Sequence, residues 1–93
     1  MNKDQSILTA DTLIKYIDEF LGDQKGTQFK ITNIGKAKQA LLRLKKSISA
    51  LDFPEINKIV EELKSYEKDI PDEHKGNYNG YLSVLEHYLN EEV

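Results

Sequence analysis

The fold is decided at residues 51–56, which read Leu51-Asp52-Phe53-Pro54-Glu55-Ile56. Asp52 is a favoured N-cap residue, and Glu55 follows three positions later, as in a capping box. Pro54 suits the first turn of a helix, where its missing N–H group is not needed. Apolar residues recur at helical spacing both before and after this boundary. Because only one or two residues separate the two segments, the sequence predicts a helical hairpin.

The hairpin consists of predicted helices over residues 33–50 and 53–70, with Pro71 ending the second one. In both, the apolar positions alternate between intervals of three and four residues, which is typical of helices that pack at about 20°. The apolar positions are Ile34, Ala37, Leu41, Leu44, Ile48, Leu51, and then Ile56, Ile59, Leu63, Tyr66 and Ile70. These two seams predict that the helices lie side by side.

A further helix is predicted on each side of the hairpin. The first covers residues 9–21, with Thr9 as its N-cap and Gly22 at its end. The last begins at residue 72 or 78 and runs to 91, and we interpret Gly76 and Gly80 as residues chosen for turn geometry. The predicted fold class is therefore all-α: a small antiparallel bundle of about four helices in a single domain, residues 1–93.

An irregular loop is predicted at residues 23–32, the longest interval between two helical patterns. Its second half, residues 28–32, alternates polar and apolar side chains and is compatible with a short extended segment. The sequence has no second clear strand to pair with this segment. We therefore predict a loop that places Phe29 and Ile31 against the core.

Composition argues against a catalytic role. The chain has 93 residues and no cysteine, which excludes disulfides and thiolate metal sites. The histidines, His74 and His87, are thirteen residues apart and match no metal-binding spacing; we interpret His74 as a solvated loop residue. We expect no enzymatic activity, no cofactor and no metal site. With no apolar run long enough to cross a membrane, we expect a cytoplasmic protein, of bacterial or phage origin given its lysine-rich composition.

Charge is distributed unevenly along the chain. Residues 24–51 carry seven basic residues and no acid, whereas residues 52–93 carry four lysines and eleven acids. One interpretation is internal pairing between flanks of neighbouring helices. Cations lie on both flanks of the second helix's seam, Lys38 and Lys45 on one and Lys36 and Arg43 on the other, and one flank of the third helix carries Glu55, Glu62 and Asp69. Nucleic-acid binding through the stretch Lys25–Lys46 is an alternative, because lysines neutralise phosphates. The acidic C-terminal half acting as a DNA mimic is another.

The favoured hypothesis is binding to another protein, as an inhibitor, immunity protein or regulatory adaptor. Small size and the lack of a catalytic motif support it. The candidate partner-binding residues are Phe29 and Lys30 in the predicted loop, with Leu42 and Lys46 on the outer side of the second helix. Together they would provide an apolar centre beside basic side chains, which is the usual arrangement of an interface. The sequence identifies neither the partner nor the oligomeric state.

Overall fold

The computed structural model describes residues 1–21 and 28–91, and the side chains of residues 1–20 and 35–91. In this part of the chain it contains four α-helices. They are α1 (Lys3–Tyr16), α2 (Gln28–Ser49), α3 (Phe53–Ser65) and α4 (Asp72–Asn90). A π-helical turn, Ile17–Leu21, extends α1, and a 3₁₀ turn, Glu67–Asp69, lies between α3 and α4. The predicted all-α bundle is confirmed.

The four helices run alternately up and down the long axis of a body measuring 44 × 20 × 19 Å. Helix α2 packs against both α3 and α1, and α1 packs against α4, whereas α3 and α4 approach each other less closely. The ends of the first and last helices meet, since the backbone N–H of Asn2 donates to the Tyr88 carbonyl at 2.9 Å. Helix α1 is therefore covered by α2 on one side and by α4 on the other.

The core forms along the inner faces of all four helices. Each helix contributes apolar side chains that are almost completely shielded from solvent. The most deeply buried large residues are Leu13, Ile17, Leu41, Leu44, Ile48, Ile59, Leu63, Tyr78 and Leu85. The three-and-four spacing of the hairpin seam thus identified buried positions correctly, with two exceptions: Leu51 is 53% exposed, and Tyr66 is only partly buried. The Ile34 side chain lies outside the described residues.

Helix α1 begins at Lys3, so the predicted start at Thr9 is wrong. The N-cap is Asn2, whose side-chain oxygen accepts from the Gln5 backbone N–H at 3.2 Å. Thr9 lies inside the helix, and its hydroxyl donates to the Gln5 carbonyl at 2.7 Å. A threonine can cap a helix or bond back to the preceding turn, and here it does the latter. The predicted stop at Gly22 lies outside the described residues.

Helix α2 begins at Gln28, so the irregular loop predicted for residues 23–32 is wrong over 28–32. The remaining residues of that prediction, 23–27, lie outside the described part of the chain. The physical reason why residues 28–32 are helical is that a helix satisfies their backbone hydrogen bonds. An extended segment without a partner strand leaves its N–H and C=O groups unpaired, whereas a helix pairs them within the segment.

The hairpin turn confirms the predicted boundary at Asp52. Its carboxylate accepts from the Glu55 backbone N–H at 3.4 Å, and Pro54 lies in the first turn of α3. On the other side of the turn, Leu51 has a φ of 56°, the left-handed conformation that glycine normally supplies at a helix end. The N–H groups of Asp52 and Leu51 donate to the carbonyls of Ser47 and Ile48, which is the Schellman arrangement. Leu51 lies in the turn, two residues beyond the end of α2, and its side chain is exposed there.

Helix α3 ends at Ser65, five residues before the predicted end at Ile70. Pro71 disfavours the α conformation at the residue before it, and Ile70 is indeed extended, with a ψ of 134°. The chain then enters α4 at Asp72, the earlier of the two predicted starts. Gly76 and Gly80 lie inside this helix, so the interpretation that they serve a turn is wrong.

Candidate functional site

The outer side of α2 presents Leu42 and Lys46, one helical turn apart. Leu42 is 38% exposed, although the other large apolar side chains that the structure describes on α2 are buried: Leu41, Leu44 and Ile48. Lys46 is exposed and forms no ion pair with any side chain that the structure describes. Two of the four residues predicted to bind a partner are therefore adjacent on one solvent-facing surface.

Helix α1 adds a second exposed leucine to this surface. Leu8 is 58% exposed, and it lines the same open groove, of about 420 Å³, as Leu42. The other residues lining this groove are Asp11, Thr12, Ile14, Lys15 and Lys45. Sequence reasoning missed Leu8 because it placed this residue before the first helix. A start at Asn2 would have identified it, since Leu8 then lies on the helix face opposite the buried Leu13.

Two more grooves continue this surface along α2 and share its lysines. One, of about 350 Å³, is lined by Leu42, Lys46 and neighbouring residues of α2. The other, of about 540 Å³, is lined by Lys45, Lys46, Ser49 and Ala50. We call the surface formed by Leu8, Ile14, Lys15, Leu42 and Lys46 the α1–α2 face.

The other two predicted binding residues come from the beginning of α2. Phe29 and Lys30 lie in the first turn of α2, and their side chains are outside the described residues. Thirteen residues separate Phe29 from Leu42, which corresponds to roughly 20 Å along a helix axis and about 140° around it. The part of Phe29 and Lys30 in partner binding stays a prediction.

Three cations of α2 are paired with acids of the two neighbouring helices. Lys38 and Lys45 contact Asp18 and Asp11 of the first helical segment, with Nζ–Oδ1 distances of 2.8 and 2.6 Å. On the opposite flank, the Arg43 guanidinium contacts the Glu62 carboxylate of α3 at 2.7 Å. Such exposed pairs contribute only about 0–1 kcal/mol each, so their main effect is to fix the register of the helices.

Arg43, Glu62 and Tyr66 form a small hydrogen-bonded cluster between α2 and α3. The Tyr66 hydroxyl donates to Glu62 Oε2 at 2.6 Å, and this bond, together with the Arg43 guanidinium, lowers the pKa of the Glu62 carboxyl. Burial and the neighbouring carboxylate raise the pKa of Tyr66 to about 12. An open groove of about 620 Å³ beside the cluster contains Lys36 as well. Because Glu62 compensates Arg43, this groove has a weaker positive charge than the sequence of α2 implies.

A polar and aromatic cluster joins the end of α1 to the beginning of α4. The Tyr16 hydroxyl lies 2.6 Å from His74 Nδ1 and accepts from the Asn77 side-chain amide at 3.0 Å. The rings of Phe20 and Tyr81 lie 4.9 and 5.5 Å from that of Tyr16. His74 is therefore a partly buried residue in the first turn of α4, and its interpretation as a solvated loop residue is wrong. His87, by contrast, is exposed.

Helices α3 and α4 are joined by charge as well as by apolar contacts. Lys64 Nζ contacts Glu86 Oε1 at 2.8 Å, and this carboxylate raises the pKa of the Lys64 ammonium group. The groove beside this pair has a volume of about 210 Å³ and includes Asn57 and Asn90. It is smaller and more polar than the α1–α2 face, and its charges are already paired.

Metal-binding side chains do not cluster in the part of the chain that the structure describes: no three histidine, aspartate or glutamate groups there lie together. None of the described helices has the length and apolar character needed to span a membrane. Comparisons with protein-family models, curated proteins and solved structures found no match to this chain. The geometry of its own residues is therefore the basis for inferring its function.

Proposed function

We propose that this chain is a small helical protein that acts by binding another protein through the α1–α2 face, as an inhibitor, immunity protein or regulatory adaptor. The observation that carries the proposal is the pair of exposed leucines, Leu8 and Leu42. They come from two different helices and line one groove, beside the lysines at positions 15 and 46.

The composition of this face resembles that of a protein interface. Interfaces have an apolar centre surrounded by polar side chains, and removing apolar surface from water provides much of the free energy of association. An isolated exposed leucine is common in any protein and needs no explanation. Two that share a groove are more informative, because a single partner side chain is able to contact both.

Nucleic-acid binding receives less support from the arrangement of charge. Lys38, Arg43 and Lys45 belong to the basic stretch Lys25–Lys46, and each is paired with an acid of a neighbouring helix. Their positive charge is therefore partly neutralised in the free protein, which leaves less of it to attract phosphate groups. The DNA-mimic alternative meets the converse difficulty, since Glu62 and Glu86 of the acidic half are paired with cations. Nucleic-acid binding is a separate outcome of the following experiment.

The test compares three forms of the chain as affinity baits in an extract of the cells that encode it, after nuclease treatment. They are the wild type, the double variant Leu8→Asp, Leu42→Asp, and the control Val84→Asp. Val84, on α4, is 46% exposed and lies outside the lining of these grooves. A partner identified by mass spectrometry is then purified, and its Kd is measured by calorimetry.

We expect the double variant to bind about 100-fold more weakly, since buried interface leucines contribute about 1–2 kcal/mol each and 1.4 kcal/mol is tenfold in Kd. The control should bind like the wild type, and all three should have similar melting temperatures. Equal binding by the wild type and the double variant would refute the proposed face. Retention of random DNA, with affinity falling steeply as salt rises, would instead indicate nucleic-acid binding.

A further inference from the structure

We propose that the occupant of the α1–α2 face is an acidic amphipathic helix of the partner protein. This inference rests on the proposed function and specifies the chemistry of the partner. It is supported by two independent properties of the face: the direction of its groove and the sign of its uncompensated charge.

The groove follows two antiparallel helices that stay side by side over at least two turns. Asp11 and Asp18 are seven residues apart on the first helical segment, and their partners Lys45 and Lys38 are also seven residues apart on α2. Seven residues correspond to about 10 Å of helix. A surface channel bounded by two parallel axes accommodates a third helix lying along it, which is a common mode of peptide recognition.

The apolar positions of the face match the spacing on such a helix. Leu8 and Ile14 lie one to two turns apart on α1, and Leu42 faces them from α2 in the same groove. The lining then continues along α2 to Ala50, eight residues and about 12 Å beyond Leu42. A partner helix with apolar residues at i, i+3 or i+4, and i+7 presents side chains over a comparable distance.

The uncompensated charge of the face is positive. Asp11, the acid that lines the groove, is already paired with Lys45 at 2.6 Å. Lys15 on α1 and Lys46 on α2 form no ion pair with any side chain described in the structure. One of these lysines is on each helix: Lys15 lines the groove with Leu8 and Leu42, and Lys46 lines the adjoining groove with Leu42. A helix bearing Glu or Asp beside its apolar stripe meets a complementary charge, and a basic helix meets repulsion.

The probe is a displayed library of helical peptides about 15 residues long, roughly 22 Å of helix. Apolar residues occupy the i, i+3, i+7 positions, and the flanking positions carry Glu, Lys or Gln in equal proportions. We expect selection on the intact wild-type chain to enrich Glu over Lys at the flanks. The peptide selected should shift the amide resonances of residues 8, 15, 42 and 46 in an NMR titration.

Charge reversal provides the specific control. The variant Lys15→Glu, Lys46→Glu should bind the selected acidic peptide at least tenfold more weakly and should bind its Glu→Lys counterpart more tightly than the wild type does. The matched control is Lys58→Glu, Lys68→Glu, which changes the same number of charges at exposed lysines outside the face. This control should keep the wild-type preference.

Three results would overturn the inference: no enrichment of Glu over Lys, resonance shifts confined to other helices, or charge reversal without effect. Binding to vesicles of anionic lipid that depends on Lys15 and Lys46, with no peptide enrichment, would identify a membrane surface instead. Failure of the inference is distinguishable from failure of the proposed function. If the natural partner is lost in the Leu8→Asp, Leu42→Asp variant but no acidic helix is selected, the face stands and its occupant has another chemistry.

Discussion

Helix α2 has a side facing α3 and a side facing solvent, and their charges are organised differently. On the α3 side, Arg43 contacts Glu62 at 2.7 Å, and Glu62 also accepts from the Tyr66 hydroxyl. On the solvent side, Lys46 is one turn from the exposed Leu42 and has no ionic partner among the described residues. Both sides come from the same acid-free stretch of sequence. The difference teaches that one basic segment can pair some of its cations with neighbouring helices and leave another, Lys46, on the same helix without an ionic partner among the described residues.

The largest effect should separate inward from outward leucines on α2. Leu44 is fully buried, and Leu44→Ala leaves a cavity that should lower the free energy of unfolding by about 2–5 kcal/mol. Leu42→Ala should lower it by less than about 1 kcal/mol, because this side chain is already partly solvated. Urea unfolding of both variants provides the measurement. Equal losses would remove the distinction between the two sides.

A smaller loss is expected at the turn that aligns α2 with α3. Asp52→Ala removes the carboxylate that accepts from the Glu55 N–H, and helix N-caps contribute about 0.5–2 kcal/mol. Asp52→Asn keeps an acceptor in the same place and serves as the control in the same urea measurement. If the alanine variant is as stable as the wild type, the alignment of α2 with α3 does not depend on this cap.

The stability provided by the side of α2 that faces α3 should also depend on pH. The Glu62 carboxyl has a pKa below its ordinary value of 4.5, so it stabilises the folded state above that pH and ceases to do so as pH falls through its lowered value. Glu62→Gln should therefore cost up to about 1 kcal/mol at pH 7 and nothing near pH 2. Lys46→Gln, on the solvent side, should leave stability unchanged at both pH values. A pH-independent cost for Glu62→Gln would point to packing as the cause.

The smallest change should be a gain in stability. Leu51 adopts a φ of 56°, which is unfavourable for any residue with a Cβ atom, and glycine is the usual residue at this position of a Schellman motif. Leu51→Gly should therefore raise the free energy of unfolding by about 0.5–1 kcal/mol, net of glycine's greater freedom in the unfolded chain. A thermal melt showing a lower Tm would mean that the exposed leucine side chain makes contacts that outweigh the strain.

The sequence was sufficient to predict a helix boundary where the interactions that determine it lie close together along the chain. The boundary at Asp52 was predicted correctly because the cap, Pro54 and the apolar spacing all lie within a few residues of one another. The start of α1 was not predicted correctly, because both Asn2 and Thr9 are able to cap a helix. Only packing against the other helices decides between them. Without the correct start, Leu8 had no assigned helix face, and the residues that α1 contributes to the α1–α2 face were not identified.

Contacts between residues far apart in the chain were the second feature that the sequence predicted poorly. Sequence spacing placed Arg43 and Glu62 on flanks of neighbouring helices without showing which flanks meet, and the structure joins them. The partners of Lys38 and Lys45 are on α1, and no pattern within α2 reveals which helix lies beside that flank. His74 was misjudged for the same reason, since its neighbour Tyr16 is 58 residues away in the chain.

The two glycines inside α4 have a consequence for how this helix opens. Gly76 and Gly80 are exposed, and no neighbouring atom lies within 4 Å of the place where either Cβ would be. Each lowers helical propensity by about 1 kcal/mol relative to alanine, with no packing gained in exchange. The first half of α4 should therefore exchange its amide hydrogens through local opening well before α2 does. The Tyr16–His74–Asn77 hydrogen bonds, which join this segment to α1, would then be the contacts that oppose its opening.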